Sequence, residues 1–438
     1  MSVLWPRIND IKRPAAPIVS IETPKSAIAF ENAQVSDMKI LFVTHNYPRN
    51  KDDFSGVFLR FLARRLAEEG IHVSVLAPHD MGAPESEKMD GISIKRFCYG
   101  PPDQETFAYR GDMHRQILSL AGLIKFRRFA RSFRAAAVRM VKDQSFDLIA
   151  AHWALPSSRA ALAAAKAANV PLVVHSHGTD VRLLSQTFAA RRFAASALKH
   201  ASAWTVVSSY LKGLAAEAFP KLAGKTRVAP LPSDPDLFWP EDIGRRNPGL
   251  IVSVTRFVPQ KRVEYLIDAG AILKERGVKF KIELYGSGPL EEELKQRARD
   301  KDLAGIVSFY GPVTQEELRA IYNRAGIIVL NSIKEGFGLT LVEGALCGCL
   351  PIGVRSGGIP DIIEHETSGF LAEPDDAESL ANVLQTALES PERSEALSQI
   401  ARQSALERFA GAAVARRYAE IYRNAAGKQS PSFHNSKL

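Results

Sequence analysis

"GIIVLNSIKEGFGLTLVEGALCG", residues 326–348, joins a short β-branched run, a glycine-bearing turn and an apolar stretch with helical spacing. GIIVLN reads as a strand, SIKEGFG as the turn beyond its carboxyl end, and LTLVEGALCG as a helix opening on that turn. A helix start of this kind presents unpaired N–H groups and favours an anion, while the turn glycines let a ligand approach the backbone. Two carboxylates frame the unit, Glu335 on the turn and Glu343 inside the helix. Neither suits a phosphate, but each is an acceptor for ribose or sugar hydroxyls. Phosphate on backbone amides with hydroxyls on carboxylates describes a nucleotide sugar.

The same alternation recurs along the chain. Strand-like runs begin at 38, 72, 147, 171 and 203. After the proline-dense APLPSDPDLFWP (229–240) they resume at 250, 279, 306, 326 and 350. Short apolar runs separated by amphipathic stretches indicate parallel sheets with helices on both faces. A length of 438 residues fits two such cores better than one. The predicted architecture is α/β, two Rossmann-like doubly wound domains facing across a cleft. Its parts are a flexible N-terminal arm (1–35), an acceptor-side domain (36–231), a linker (232–246), a nucleotide-sugar-binding domain (247–400), a C-terminal helix packing back toward the first domain (401–425), and a tail (426–438). In open sheets of this type ligands sit beyond the carboxyl ends of the strands.

Composition excludes several classes. With 46% hydrophobic and 24% charged residues the chain is neither disordered nor fibrous. No run is long enough to span a bilayer, and the N-terminus lacks a signal-peptide pattern, so a cytoplasmic location is expected. Cys98, Cys347 and Cys349 have no metal-ligand spacing and read as reduced thiols. The net charge of +9 is uneven: residues 36–230 carry 28 Lys and Arg against 16 Asp and Glu, whereas 231–438 carry 25 against 29. The first half therefore expects an anionic partner.

Other strand ends supply further candidates. VTRFVPQKRVEY places Arg256 at the end of the first strand of the second half and Lys261 near the next helix, where both reach one diphosphate. Fixed cations there stabilise a departing diphosphate without a metal. LYGSGPLEEEL carries Gly286 and Gly288 in a turn before a helix, but Glu291 occupies the third glycine position of a dinucleotide fingerprint, which disfavours a dehydrogenase. FYGPVT presents Val313 to a base. In the first half, PLVVHSHGTDV places His177, Gly178 and Asp180 beyond a strand end.

Together Arg256-x4-Lys261, Gly286-Ser-Gly288-Pro, Glu335-GFGLTLV-Glu343, SGGIPDII and HGTD resemble the retaining glycosyltransferases of family 4 (group 1), with the GT-B fold, over about 38–425. The resemblance implies that Glu335 lies near the donor sugar. It places the backbone of Phe337, Gly338, Leu339 and Thr340 near the diphosphate and gives Glu343 the ribose hydroxyls. It also implies that His177 lies close to the transferred sugar, with Asp180 as its orienting partner, and that the loop at Gly56 covers the donor phosphate. Three positions depart from the family pattern: Gly344 stands where Ala is usual, Asp361 where Glu is usual, and Gly56 is the sole glycine of a usual pair.

Alternative readings fall away on residues. His152, His175 and His177 invite zinc, but no carboxylate or cysteine completes the set. SDPD (233–236) has the form of a metal-binding DxD but sits in the linker and reads as structural. AGKT (223–226) lacks the first glycine of a P-loop. No metal and no cofactor are expected beyond the UDP- or GDP-linked substrate.

Between Asp112 and Asp143 there is no acid, while Arg115, Lys125, Arg127, Arg128, Arg131, Arg134, Arg139 and Lys142 interleave with apolar residues. A basic amphipathic stretch over 115–142 reads as a peripheral contact with an anionic membrane surface, at the inner face of the membrane, and not as a nucleic-acid module. The expected function is metal-independent retaining transfer of a hexosyl unit from a nucleoside-diphosphate sugar to a polysaccharide, lipid-linked or glycolipid acceptor, as in polysaccharide or lipopolysaccharide assembly. A non-catalytic nucleotide-sugar-binding subunit is the alternative, disfavoured because Arg256, Lys261, Glu335 and Glu343 are all present.

Overall fold

The structure, a computed structural model, describes residues 37–427 apart from 52, 54, 112 and 242–245. The arm assigned to 1–35, residues 242–245 of the assigned linker, and the tail from 428 onward lie outside the described residues.

The first half forms a sheet of eight strands: β1 (Met38–Thr44), β2 (Ile71–Pro78), β3 (Ser86–Met89), β4 (Ile92–Phe97), β5 (Leu148–His152), β6 (Leu172–Ser176), β7 (Ala203–Val206) and β8 (Thr226–Val228). Their spatial order is β3-β4-β2-β1-β5-β6-β7-β8, parallel except for β3, which runs against β4 at the edge. Alternation along β1 divides the core. Met38, Ile40 and Phe42 face the helix Val57–Glu68, whereas Leu41 and Val43 face the opposite layer with Phe129 and Phe133. The second half is a fully parallel sheet of six: β9 (Asn247–Val254), β10 (Lys281–Tyr285), β11 (Val307–Tyr310), β12 (Ala325–Leu330), β13 (Leu350–Val354) and β14 (Phe370–Ala372), in the order β11-β10-β9-β12-β13-β14. Strands buried on both faces explain the near-continuous apolar runs in the sequence.

The chain end returns to the first sheet, though not as the single helix read over 401–425. Helix Pro391–Phe409 packs on the second half, and Gly411–Ala425 on the first; Ala410 between them is extended. Ser233 donates its N–H to the Phe409 carbonyl at 2.9 Å and bridges to Ala410, which pins the break beside the linker. From there Tyr418 and Tyr422 enter the core beneath β1 and β6, fully buried.

Candidate active site

The carboxyl edges of the two sheets meet. Asp361 accepts the backbone N–H of Ser209 at 2.5 Å, Arg182 donates to the Lys334 carbonyl at 3.2 Å, and a methyl placed on Gly178 would lie 3.7 Å from the Cα of Gly336. The turns after β6 and β12 therefore stand opposite each other, as in two Rossmann-like domains joined edge to edge.

In the second half, hydrogen bonds between loops assemble the charged groups. Ile333 donates its N–H to the Gln260 carbonyl at 3.0 Å, and Asn331 donates to the Arg262 carbonyl at 2.9 Å, tying the loop after β12 to the loop after β9. This registers Lys261 on Glu335, Nζ to Oε2 at 2.6 Å, and the Glu335 carboxylate also accepts the Gly336 N–H at 3.2 Å. Burial raises the Glu335 carboxyl, but the Lys261 charge and hydrogen bonds outweigh it and hold the group below its ordinary value. Arg256 is exposed at the end of β9, and no ion pair occupies its guanidinium among the described residues.

Gly286 and Gly288 hold the Arg256 loop. Phe257 donates its N–H to the Ser287 carbonyl at 2.9 Å, and Leu290 donates to the Phe257 carbonyl at 3.1 Å. A Cβ on Gly286, whose φ is 134°, would stand 1.9 Å from the Thr255 carbonyl oxygen; one on Gly288 would stand 2.3 Å from that of Phe257. Both glycines are required by the close approach of backbone to backbone, and they hold the loop that carries Arg256.

Gly338 precedes the helix Leu339–Leu346 with φ 108° and contributes no capping side chain, so the N–H groups of Leu339 and Thr340 lack an intrahelical partner. The Phe337 ring turns away into the core, edge-on to Phe409 at 5.4 Å between centroids, leaving its backbone as what it can offer a ligand. Glu343 is buried, and burial pushes its carboxyl up to about 8 against the opposing influence of the Tyr322 hydroxyl. With Leu339, Gln315, Phe58, Arg60 and Arg64 it lines a cavity of about 190 Å³ between the two halves. Glu335 is absent from that lining, so the two glutamates address different parts of the cleft. Val313 is half-buried against the core, two residues before Gln315. Gly56, with φ 71°, starts the helix Val57–Glu68 on the far wall; a Cβ there would lie 2.8 Å from the Asn46 carbonyl oxygen.

In the first half the strand ends after β1, β5 and β6 bring rings together. His152 and His177 stack at 5.4 Å with an interplanar angle of 9°, and His152 Nδ1 lies 3.2 Å from His177 Nε2. Trp153 and Phe58 pack on His177 at 4.6 and 5.0 Å, and His45 packs edge-on to Trp153. His175 stacks on His152 and hydrogen-bonds the hydroxyls of Thr205 (2.6 Å) and Tyr422 (2.9 Å). His175 and His177 are two residues apart, so the alternation of the strand carries both side chains to one face, and both rings stack on His152. Burial lowers His45 to about 4 and His175 to about 3, and lowers His152 and His177 well below the ordinary value. All four imidazoles are neutral at pH 7, and His177 Nδ1 is buried without a hydrogen-bond partner among the described residues.

Asp180 does not touch the His177 ring. Its carboxylate accepts the backbone N–H groups of His177 (3.2 Å), Gly178 (3.1 Å) and Ala154 (2.8 Å), so it orients the turn instead of the imidazole. His45 and Phe58 were absent from the sequence-derived site. The signal for His45 was positional, because it follows the end of β1 directly.

SDPD is fastened to a helix: Asp234 accepts from Arg64 at 2.9 Å, and Asp236 pairs with Arg65. Among the described residues, metal-ligand proximity occurs at His79, Cys98 and Glu105, but there the His79 ring is engaged by the Glu105 carboxylate and the Ala83 carbonyl.

Comparison with known proteins agrees with this geometry. Residues 55–237 match the family described as Glycosyltransferase Family 4, and residues 238–404 match Glycosyl transferases group 1, so the two matches abut and run from 55 to 404. N-acetyl-alpha-D-glucosaminyl L-malate synthase of Bacillus anthracis is 25% identical over 293 residues, 65% of this chain and 76% of that protein. Sucrose-phosphate synthase from Thermosynechococcus elongatus superposes with a TM-score of 0.73 at 22% identity, covering 88% of this chain and 98% of the other. Anabaena HepE, solved with UDP-glucose, superposes with a TM-score of 0.65 at 21% identity, covering 88% and 100%. The edge-to-edge pair of parallel sheets and the two abutting matches make this chain a member of the family 4, group 1 glycosyltransferases, with the GT-B fold.

Proposed function

We propose that the protein is a retaining, metal-independent hexosyltransferase. Its donor is a UDP- or GDP-linked sugar and its acceptor a polysaccharide, lipid-linked glycan or glycolipid. The observation that carries this reading is the Lys261–Glu335 pair at 2.6 Å, which joins the loop that also carries the exposed Arg256 to the turn that leads into the uncapped helix start at Leu339. The diphosphate lies against the N–H groups of Leu339 and Thr340 and between Arg256 and Lys261, and Glu343 takes the ribose hydroxyls from within its cavity. Glu335 and the neutral His177 hydrogen-bond the sugar. The bond from the anomeric carbon to the phosphate oxygen breaks, and the electron pair leaves with the diphosphate, whose charge the two cations and the helix start stabilise. The acceptor hydroxyl attacks the same face, forms the new glycosidic bond, and passes its proton to the departing phosphate oxygen. Arg256 and Lys261 supply the charge that a divalent ion supplies elsewhere.

A thermal-shift screen with UDP-, GDP- and ADP-sugars tests the donor assignment, because a ligand of the folded state raises Tm. A shift with one nucleotide class, and transfer that survives chelation with an α-linked product from an α-linked donor, are expected. No shift with any sugar nucleotide would remove the donor site, and an inverted anomer would remove the retaining course.

A further inference from the structure

The segment after β4 combines unneutralised positive charge with aliphatic side chains left in solvent. Helix Leu120–Asp143 buries Phe129, Phe133, Ala137 and Met140 on one face. On the other, Arg127, Arg128, Arg131 and Arg134 are exposed, and no ion pair occupies them among the described residues. At its start Leu118 is 84% exposed, Leu120 77%, Ile124 59% and Ile117 41%. Exposed large aliphatics elsewhere stand singly, as is normal for a soluble surface; four within eight residues make a patch. This tip is built: Ser119 caps the helix by accepting the Gly122 N–H at 3.0 Å, and Lys125 donates to the Thr106 hydroxyl at 3.2 Å.

Its placement follows from topology. β4 and β5 run parallel to the same central strands, so the helix joining them runs back along the sheet and begins at the carboxyl edge. That is the edge carrying His45 and His177. Ile124, Arg128, Arg131 and Arg134 recur at helical spacing on one face, so a surface that receives the aliphatic tip also meets the cations.

We propose that residues 117–124 insert into the interface of an anionic bilayer while Arg127, Arg128, Arg131 and Arg134 hold its headgroups. Each half of the device is weak alone; apolar burial and cation attraction together give reversible docking. No helix among the described residues is long and apolar enough to cross a membrane, so the contact is peripheral. Docking by this edge brings the mouth of the cleft to the lipid surface. The purpose of the contact, access to a lipid-linked acceptor, rests on the proposed function; the contact itself does not.

The test is co-sedimentation of the full chain with phosphatidylcholine vesicles and with vesicles containing about 30% phosphatidylglycerol. Binding is expected to the anionic vesicles and not the neutral ones, with release at high salt. The double variants Leu118→Ser/Leu120→Ser and Arg128→Gln/Arg131→Gln are each expected to weaken partitioning about tenfold or more, with Tm and the nucleotide-sugar thermal shift unchanged. Wild-type protein that stays in the supernatant, binds both vesicles equally, or prefers duplex DNA would overturn the proposal, as would full binding by either variant. Vesicle failure with an intact nucleotide shift defeats the docking alone, and the converse defeats the donor site alone.

Discussion

Lys261 Nζ lies 2.6 Å from Glu335 Oε2, although 74 residues separate them in the chain. Each side chain is about 15% exposed, so the pair is screened little by solvent. Under the proposed function the ammonium assigned to the diphosphate is thus already held by the carboxylate assigned to the sugar, and one contact positions both. Lys261→Ala leaves that carboxylate without its cation and takes away one of the two positive charges proposed to stabilise the leaving group. We expect a fall in kcat/KM of about 30- to 1000-fold, roughly 2–4 kcal/mol, larger than that for Glu335→Gln. In steady-state kinetics the double variant should lose less than the sum of the two. Strict additivity would show the pair uncoupled.

Glu343 carries a pH signature. Its folded-state value of about 8, against an ordinary 4.5, means that the folded protein keeps a proton the unfolded chain has lost. Stability therefore falls as pH rises from about 4.5 toward 8 and levels off above. Ribose hydroxyls are better served by the carboxylate, so donor binding should release a proton near neutrality and tighten up to pH 8. Calorimetry in buffers of different ionisation enthalpy reads this, and Glu343→Gln should abolish both trends. Glu343→Ala should raise the donor KM about ten- to 150-fold. A pH-independent donor affinity in the wild type would contradict the assignment.

Asp180 and His177 should separate cleanly. Asp180→Asn weakens three buried backbone contacts and should cost about 2–4 kcal/mol, lowering Tm by roughly 2–4 °C per kcal/mol, with activity falling as the His177 turn loosens. His177→Ala should lose activity with much less loss of Tm. Equal melting behaviour in the two variants would return Asp180 to the reacting groups.

The strand–turn–helix unit of 326–348 was legible because period and turn chemistry agree there, and with it the places of Glu335 on the turn and Glu343 in the helix. Side-chain meetings across the chain were not. His175 with Tyr422 joins residues 247 apart, and no local pattern couples them. The break at Ala410 was hidden because both flanking segments are helical in period, and what interrupts them is Ser233 from the linker. Gly286 and Gly288 were visible as turn glycines, but their partners, the carbonyls of Thr255 and Phe257, are a tertiary fact.

Gly344 shows the same limit from the other side. By propensity alone alanine should strengthen the helix Leu339–Leu346. In the structure a Cβ would lie 2.7 Å from Cδ1 and 2.8 Å from Cγ2 of the buried Ile328. Gly344→Ala should therefore destabilise by about 1–3 kcal/mol, and Ile328→Val should recover part of that loss in the double variant. Thermal denaturation of the three proteins measures it, and a gain in Tm for Gly344→Ala would show that the site relaxes freely.

The most direct measurement is the crystal structure of the protein with an intact nucleoside-diphosphate sugar. The diphosphate is expected within hydrogen-bonding distance of Arg256, Lys261 and the N–H groups of Leu339 and Thr340, with the ribose on Glu343. A nucleotide bound elsewhere, or a diphosphate touching neither cation, would contradict it.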